Sequence, residues 1–147
     1  GLFDSNDGGN LDMIGIYAGE ELAGFFAVRK FRSIRYLAYF AVSAHRRSGG
    51  IGSKALRLLK KYYSEHQMVV EFEAPDESAE NNSIRLRRRD FYLRNGFQET
   101  GWYNFYDETE FEIACSELPF HREEFEEFID FLNAIIPIHM PRPYRKG

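Results

Sequence analysis

The chain has 147 residues, enough for one domain with a real core, and a formal net charge of −4, which argues against a general nucleic-acid binder. Its one cysteine, Cys115, excludes an internal disulfide framework and a cysteine-based zinc site. No apolar run reaches membrane-spanning length and no signal-peptide pattern is present, so a single domain over 1–147 in a reducing cytoplasm is expected.

In chain order the pattern is α/β, without internal repeats. Residues 1–10 are rich in Gly, Asp and Asn and read as a flexible N-terminus. Leu11 to Tyr17 and Glu21 to Phe31 read as a hairpin around Ala18-Gly19-Glu20, and Arg32-Ser33-Ile34 turns into a third strand whose apolar run is Tyr36 to Ser43. Ile51 to Tyr63 has the apolar spacing of a helix. A short polar link leads to a strand at Met68 to Ala74, which makes a strand–helix–strand unit with parallel strands. Asn81-Asn82-Ser83 offers cap side chains for a helix running to about Asn95, where Gly96 is placed to end it. Gln98 to Tyr106 and Glu110 to Cys115 read as a hairpin over Asp107-Glu108-Thr109. Arg122 to Ile136 puts Phe125, Phe128, Ile129, Leu132 and Ile136 on one face of a helix that Pro137 stops. Residues 137–147 read as an extended arm, which with the aromatic strands 98–115 offers a surface for a homodimer.

The most informative stretch is Arg46-Arg47-Ser48-Gly49-Gly50-Ile51-Gly52, set between the third strand and the first helix. A glycine-rich turn opening a helix lets an anion approach the backbone and aims unpaired N–H groups and the helix dipole at it. A P-loop requires Lys-Ser/Thr after its last glycine, and Gly52-Ser53-Lys54 has the wrong order. A dinucleotide fingerprint requires a third glycine, where Ala55 stands, although Glu71 and Glu73 lie at about the right distance for its acidic residue. A plain surface loop is the bland alternative.

The pattern Arg47-x-x-Gly50-x-Gly52 resembles the acyl-CoA-binding motif of the GNAT superfamily of N-acetyltransferases, and Phe91-Tyr92-Leu93-Arg94-Asn95-Gly96-Phe97 resembles that family's later Phe-Tyr-x-x-x-Gly-Phe segment. The likeness runs from about Met13 to Leu118. It implies a mixed, splayed central sheet flanked by helices, here without the strand and helices that usually come first. It also implies transfer of an acetyl group from acetyl-CoA, as co-substrate, to a small-molecule or peptide primary amine by direct attack, with no metal. The amides of Ser48, Gly49, Gly50, Ile51, Gly52 and Ser53 would hold the coenzyme's pyrophosphate, Arg47 would add charge, and the main chain of Phe40, Ala41 and Val42 would bond the pantetheine arm. Tyr92 stands where relatives place a tyrosine near the coenzyme's sulfur; a phenol of pKa about 10 can donate to a departing thiolate of pKa about 8.5. Arg85 replaces an asparagine, and Ala44 a proline, that many relatives carry.

The general base is open at this stage. Glu71 and Glu73 share one face of their strand, and either line the acceptor pocket or pair with the following helix's arginines. Glu73 is nearer the strand's C-terminal end; His45 is a poorer candidate. The basic run Ile84 to Asp90 reads as a solvated face that neutralises nearby acids, or as a seat for an acidic acceptor. Two rivals to catalysis remain: a coenzyme-binding module without turnover, and an interaction protein using charged helices.

Overall fold

The computed structural model describes residues 9–136 and 139–146, with Ser48 described through its backbone alone. The expectations for residues 1–8 and for Pro137 lie outside the described residues. Seven strands and three α-helices are present among the described residues, in the order expected of an α/β chain. Two compact units divide the chain, Gly1–Met68 and Val69–Gly147.

In the first unit, β1 (Leu11–Ala18), β2 (Glu21–Phe31) and β3 (Ile34–Val42) form an antiparallel meander, followed by a 3-10 segment (Ala44–Gly49) and α1 (Ile51–Tyr62). The β1–β2 loop is two residues long and opens with Gly19 at φ +65°. Gly24 has a steric reason: a Cβ there would meet the Ala41 carbonyl oxygen at 2.1 Å, so the close β2–β3 approach depends on its absence. Burial of Ile16, Phe26, Val28, Ile34, Leu37, Leu56 and Leu59 forms this unit's core. Tyr63, just past α1, donates its hydroxyl to Asp12 at 2.6 Å, and Lys30 meets the other Asp12 oxygen at 3.0 Å. Burial works against the Asp12 charge, but Tyr63, Lys30 and Arg35 outweigh it and hold the carboxyl below its ordinary pKa. Burial first, and then the Asp12 contact, raise the Tyr63 phenol far above its ordinary value.

In the second unit, β4 (Gln67–Glu73, entered from the first unit) pairs antiparallel with β6 (Thr109–Cys115), which pairs with β5 (Gln98–Tyr106). Beyond β5 lies a strand missing from the sequence reading, β7 (Tyr144–Arg145), formed where the arm pairs with Trp102 and Tyr103. The β5–β6 connection is a two-residue turn with positive φ at both Asp107 and Glu108, the geometry that matches strand twist in a tight hairpin. Two helices complete the unit: α2 (Asn82–Arg94) and α3 (Arg122–Ile135), whose Phe125, Phe128, Ile129 and Leu132 are buried as its periodicity requires. Glu112, only 3% exposed, is ion-paired with Arg89 of α2 at 2.8 Å, and Arg89 also contacts Glu99.

Replacing Asp12 with Asn tests the first cluster through its pH dependence. Because the folded pKa is depressed, Asp12 stabilises fully above its unfolded pKa near about 4 and loses that contribution as pH falls through the folded value. The stability gap between wild type and Asp12→Asn, measured by urea unfolding, should therefore shrink below about pH 4; a gap constant with pH contradicts the assignment. In the second unit, Arg89→Met strands the buried Glu112 charge and should lower unfolding free energy by about 3 kcal/mol. A loss under about 1 kcal/mol would mean that the pair is solvated.

Candidate functional site

The glycine-rich stretch folds as a strand–turn–helix junction in the first unit. β3 ends at Val42, and Ser43 donates its N–H to Ala23 at 2.7 Å, fixing the exit from the strand. Six residues of 3-10 helix follow where the sequence suggests an open turn. Gly50, at φ +75°, is at once the C-cap of that segment and the N-cap of α1. A left-handed residue here is natural for glycine and strained for any side chain.

Gly50, the N-cap residue, brings no side chain to the N-terminus of α1, and the first turn carries no acidic residue. The first intrahelical bond runs from Lys54 N–H to the Gly50 carbonyl at 3.1 Å, so the helix opens with the positive end of its dipole uncompensated by its own side chains. Nothing lies within 4 Å of where a Cβ would project from Gly49 or Gly50. Arg47 is turned back, its Nε donating to the Val42 carbonyl at 3.1 Å, which braces the junction while the side chain stays exposed. His45 and Arg46 both bind Glu21, at 2.8 and 3.2 Å, so His45 is engaged by a surface carboxylate. Phe40, Ala41 and Val42 pair with Phe26, Phe25 and Gly24 of β2 in register, and Phe40 stacks on Phe26 at 4.5 Å between centroids. Their main-chain groups on the β2 side are thereby committed to the sheet.

Tyr92, Glu71 and Glu73 belong to the second unit. The Phe-Tyr-x-x-x-Gly-Phe segment has a clear local logic. Gly96, at φ +90°, lets the chain double back so that the Phe97 N–H reaches the Tyr92 carbonyl at 3.1 Å. This brings the Phe97 ring edge-on to Tyr92, while Phe72 stacks flat on Tyr92 and Phe91 meets it edge-on, all at about 5.5 Å between centroids. The ring is buried, and burial pushes the phenol up to about 12, slightly offset by Arg88. Among the described residues the hydroxyl has no hydrogen-bond partner. Tyr92 is thus a locked aromatic ring with an uncommitted O–H.

The cross-strand register places Glu71 opposite Ile113 and Glu73 opposite Phe111, on one face, with Phe72 opposite Glu112 on the other. Tyr92, stacked on Phe72, is therefore on the sheet face away from Glu71. Glu73 is ion-paired with Arg85 at 3.0 Å and Arg88 at 3.8 Å, and Arg85 also donates to Asn81 and to the Ala74 carbonyl. The Glu73 environment is thus the arginine pairing anticipated as one of its two readings. Glu71 accepts from Asn104 Nδ2 at 3.1 Å; Asn104 is fully buried and its Oδ1 has no partner among the described residues. Asn104 and Glu112 escape the sequence reading, since only the β4–β6–β5 register shows which acid faces which helix. Among the described residues there is no metal-holding cluster of His, Cys, Asp and Glu, and no helix is long and apolar enough to cross a membrane. Burial raises the Cys115 thiol to about 11, far from a reactive thiolate.

Solved structures share this fold. A protein from Bacteroides thetaiotaomicron assigned to the GNAT family of acetyltransferases superposes with a TM-score of 0.69 at 24% identity, over 88% of this chain and 74% of that one. The ribosomal-protein-S18-alanine N-acetyltransferase of Escherichia coli gives 0.59 at 17% identity, over 82% and 78%. A Bacillus subtilis acetyltransferase in complex with CoA gives 0.53 at 14% identity, over 70% and 74%. The curated proteins offer no match to this sequence. The sequence model described as "Acetyltransferase (GNAT) family" matches residues 3–97, more than half of the chain and both motifs. The chain belongs to the GNAT family of acetyltransferases.

Proposed function

We propose that this protein is an N-acetyltransferase that moves the acetyl group of acetyl-CoA to a primary amine by direct attack, in a reducing cytoplasm. The observation that carries the reading is the junction at Gly50: a helix N-terminus with a left-handed glycine as its N-cap and no acidic residue in its first turn, reached through an open glycine pair. Such a terminus suits a pyrophosphate, and membership of an acetyltransferase family supports an acyl-CoA coenzyme. Similar solved structures were obtained with CoA bound, which supports the same choice.

In this reading the backbone of residues 48–53 receives the pyrophosphate, and Phe40, Ala41 and Val42 offer pantetheine only those main-chain groups that β2 does not use. Arg47 contributes long-range charge and braces the turn. An alkylammonium of pKa about 10.4 is free amine at roughly the one-in-a-thousand level near neutral pH, so a proton acceptor is required. Both carboxylate oxygens of Glu73 face arginines. Glu71 and Glu73 are the carboxylates we assign to that proton, each reached through water, with Glu71 bonded to Asn104 and Glu73 also holding α2 on its strand. The amine nitrogen then attacks the thioester carbonyl, the C–S bond breaks, and CoA leaves as thiolate.

Tyr92 supports that departure. Between a phenol near 12 and a thiol near 8.5 complete proton transfer is uphill by about 5 kcal/mol, so the contribution assigned to Tyr92 is a hydrogen bond to the sulfur as negative charge develops. The ring cage fixes the position of the phenol oxygen, a condition for such a bond to favour the transition state.

Two measurements test this reading. Gly49→Glu adds a carboxylate at a position with open space and no positive φ, so the fold should stand while acetyl-CoA affinity by calorimetry falls at least about tenfold. Undiminished affinity would place the phosphates elsewhere. Tyr92→Phe should lower kcat about 100-fold on whichever amine a primary-amine panel identifies, with coenzyme affinity unchanged. If acetyl-CoA binds but no amine is turned over by the wild type, the reading that survives is a coenzyme-binding module without catalysis.

A further inference from the structure

Within the first unit, an open groove of about 610 Å³ runs between β1 and α1. Its floor is Ile14, Ile16 and Phe26, and its walls are built by Tyr17 on one side and Leu58 and Tyr62 on the other. Tyr17, Leu58 and Tyr62 are 63%, 67% and 71% exposed, an unusual concentration of large apolar surface in so small an area. α1 is thus apolar on two sides: Leu56 and Leu59 enter the core, while Ile51, Leu58 and Tyr62 form a second stripe that faces the groove.

The stripe has a charged flank. α1 carries Lys54, Arg57, Lys60 and Lys61 and no acid, in a chain whose net charge is −4. Helical spacing sets Lys54 and Lys61 along the same side of the stripe, and Lys54 lines the groove. Neither side chain has an ion-pair or hydrogen-bond partner among the described residues.

We propose that this groove is a docking site for an amphipathic helix of a partner protein, apolar on the side that enters and acidic along the flank that meets Lys54 and Lys61. The 12 residues of α1 give a wall about 18 Å long, the length of about three turns of a docked helix. The apolar residues line a trough, a shape that receives a convex helix face and presents little to a flat membrane surface. Helices of a second copy do not meet the requirement. The apolar side of α3 is already buried in its own unit, and α2 is rich in arginine.

The test uses a fluorescent 18-residue peptide helix with leucines on one face and glutamates along one flank, and a second peptide with lysines in place of the glutamates. In anisotropy titrations the glutamate peptide should bind at least about tenfold tighter than the lysine peptide. The double variant Lys54→Glu/Lys61→Glu should reverse that preference, and Leu58→Arg should abolish binding of both peptides at an unchanged melting temperature. Should Leu58→Arg fail to fold, the charge reversal carries the decision. Equal affinity for the two peptides, or binding indifferent to Leu58→Arg, overturns the proposal. So does tighter binding to phosphatidylglycerol vesicles than to the peptide, or a self-association that Leu58→Arg removes, since each assigns the groove to another occupant.

Discussion

A left-handed glycine at the mouth of a helix is the constraint on which the functional half of this structure rests. Gly50 ends a 3-10 turn and starts α1 in a single residue, and a Cβ there would strain the backbone whatever the space around it. The result is a helix terminus whose N-cap residue brings no side chain, with open space beside it. Soluble helices ordinarily cap themselves, because orphan N–H groups are costly once water is removed. A glycine at this N-cap makes physical sense if an anion supplies acceptors there. Around it the other residues brace the turn: Arg47 on the Val42 carbonyl, Ser43 on Ala23, and His45 and Arg46 on Glu21.

The second unit solves a different problem. β4 and β6 carry Glu71, Glu73 and Glu112 among residues that are mostly apolar, and an ionised carboxylate in such a place requires partners. α2 supplies them. Arg85 and Arg88 take Glu73, and Arg89 takes Glu112. The basic density of that helix is thereby largely accounted for by acids of its own unit. The same ion pairs hold α2 in place, and with it Tyr92, whose ring is clamped by Phe72, Phe91 and Phe97. Fold stability and placement of the phenol are consequently one arrangement.

Much of this is legible in the sequence because it is local. Strand alternation, helical spacing, and glycines at 19, 50 and 96 punctuate the chain where the structure turns. The two motifs are local as well, each being a short segment whose geometry its own residues enforce. Pairing across strands is not local. Nothing near Glu112 in the sequence announces Arg89, and Glu71 gains Asn104 only through a register set across β6. The two-residue β7 stayed hidden for the same reason, since its pairing with β5 crosses some forty positions of chain. The 3-10 segment before Gly50 was masked by composition: Arg46-Arg47-Ser48-Gly49 reads as loop, although its backbone is helical.

Amide hydrogen exchange, followed residue by residue with and without acetyl-CoA, reads the central claim directly. Backbone donation to the pyrophosphate predicts slowed exchange at residues 48–53, at the 3-10 end and first turn of α1, and that protection should be absent in Gly49→Glu. Unchanged exchange at these amides, with protection appearing elsewhere on saturation, would contradict the assignment of the phosphate seat.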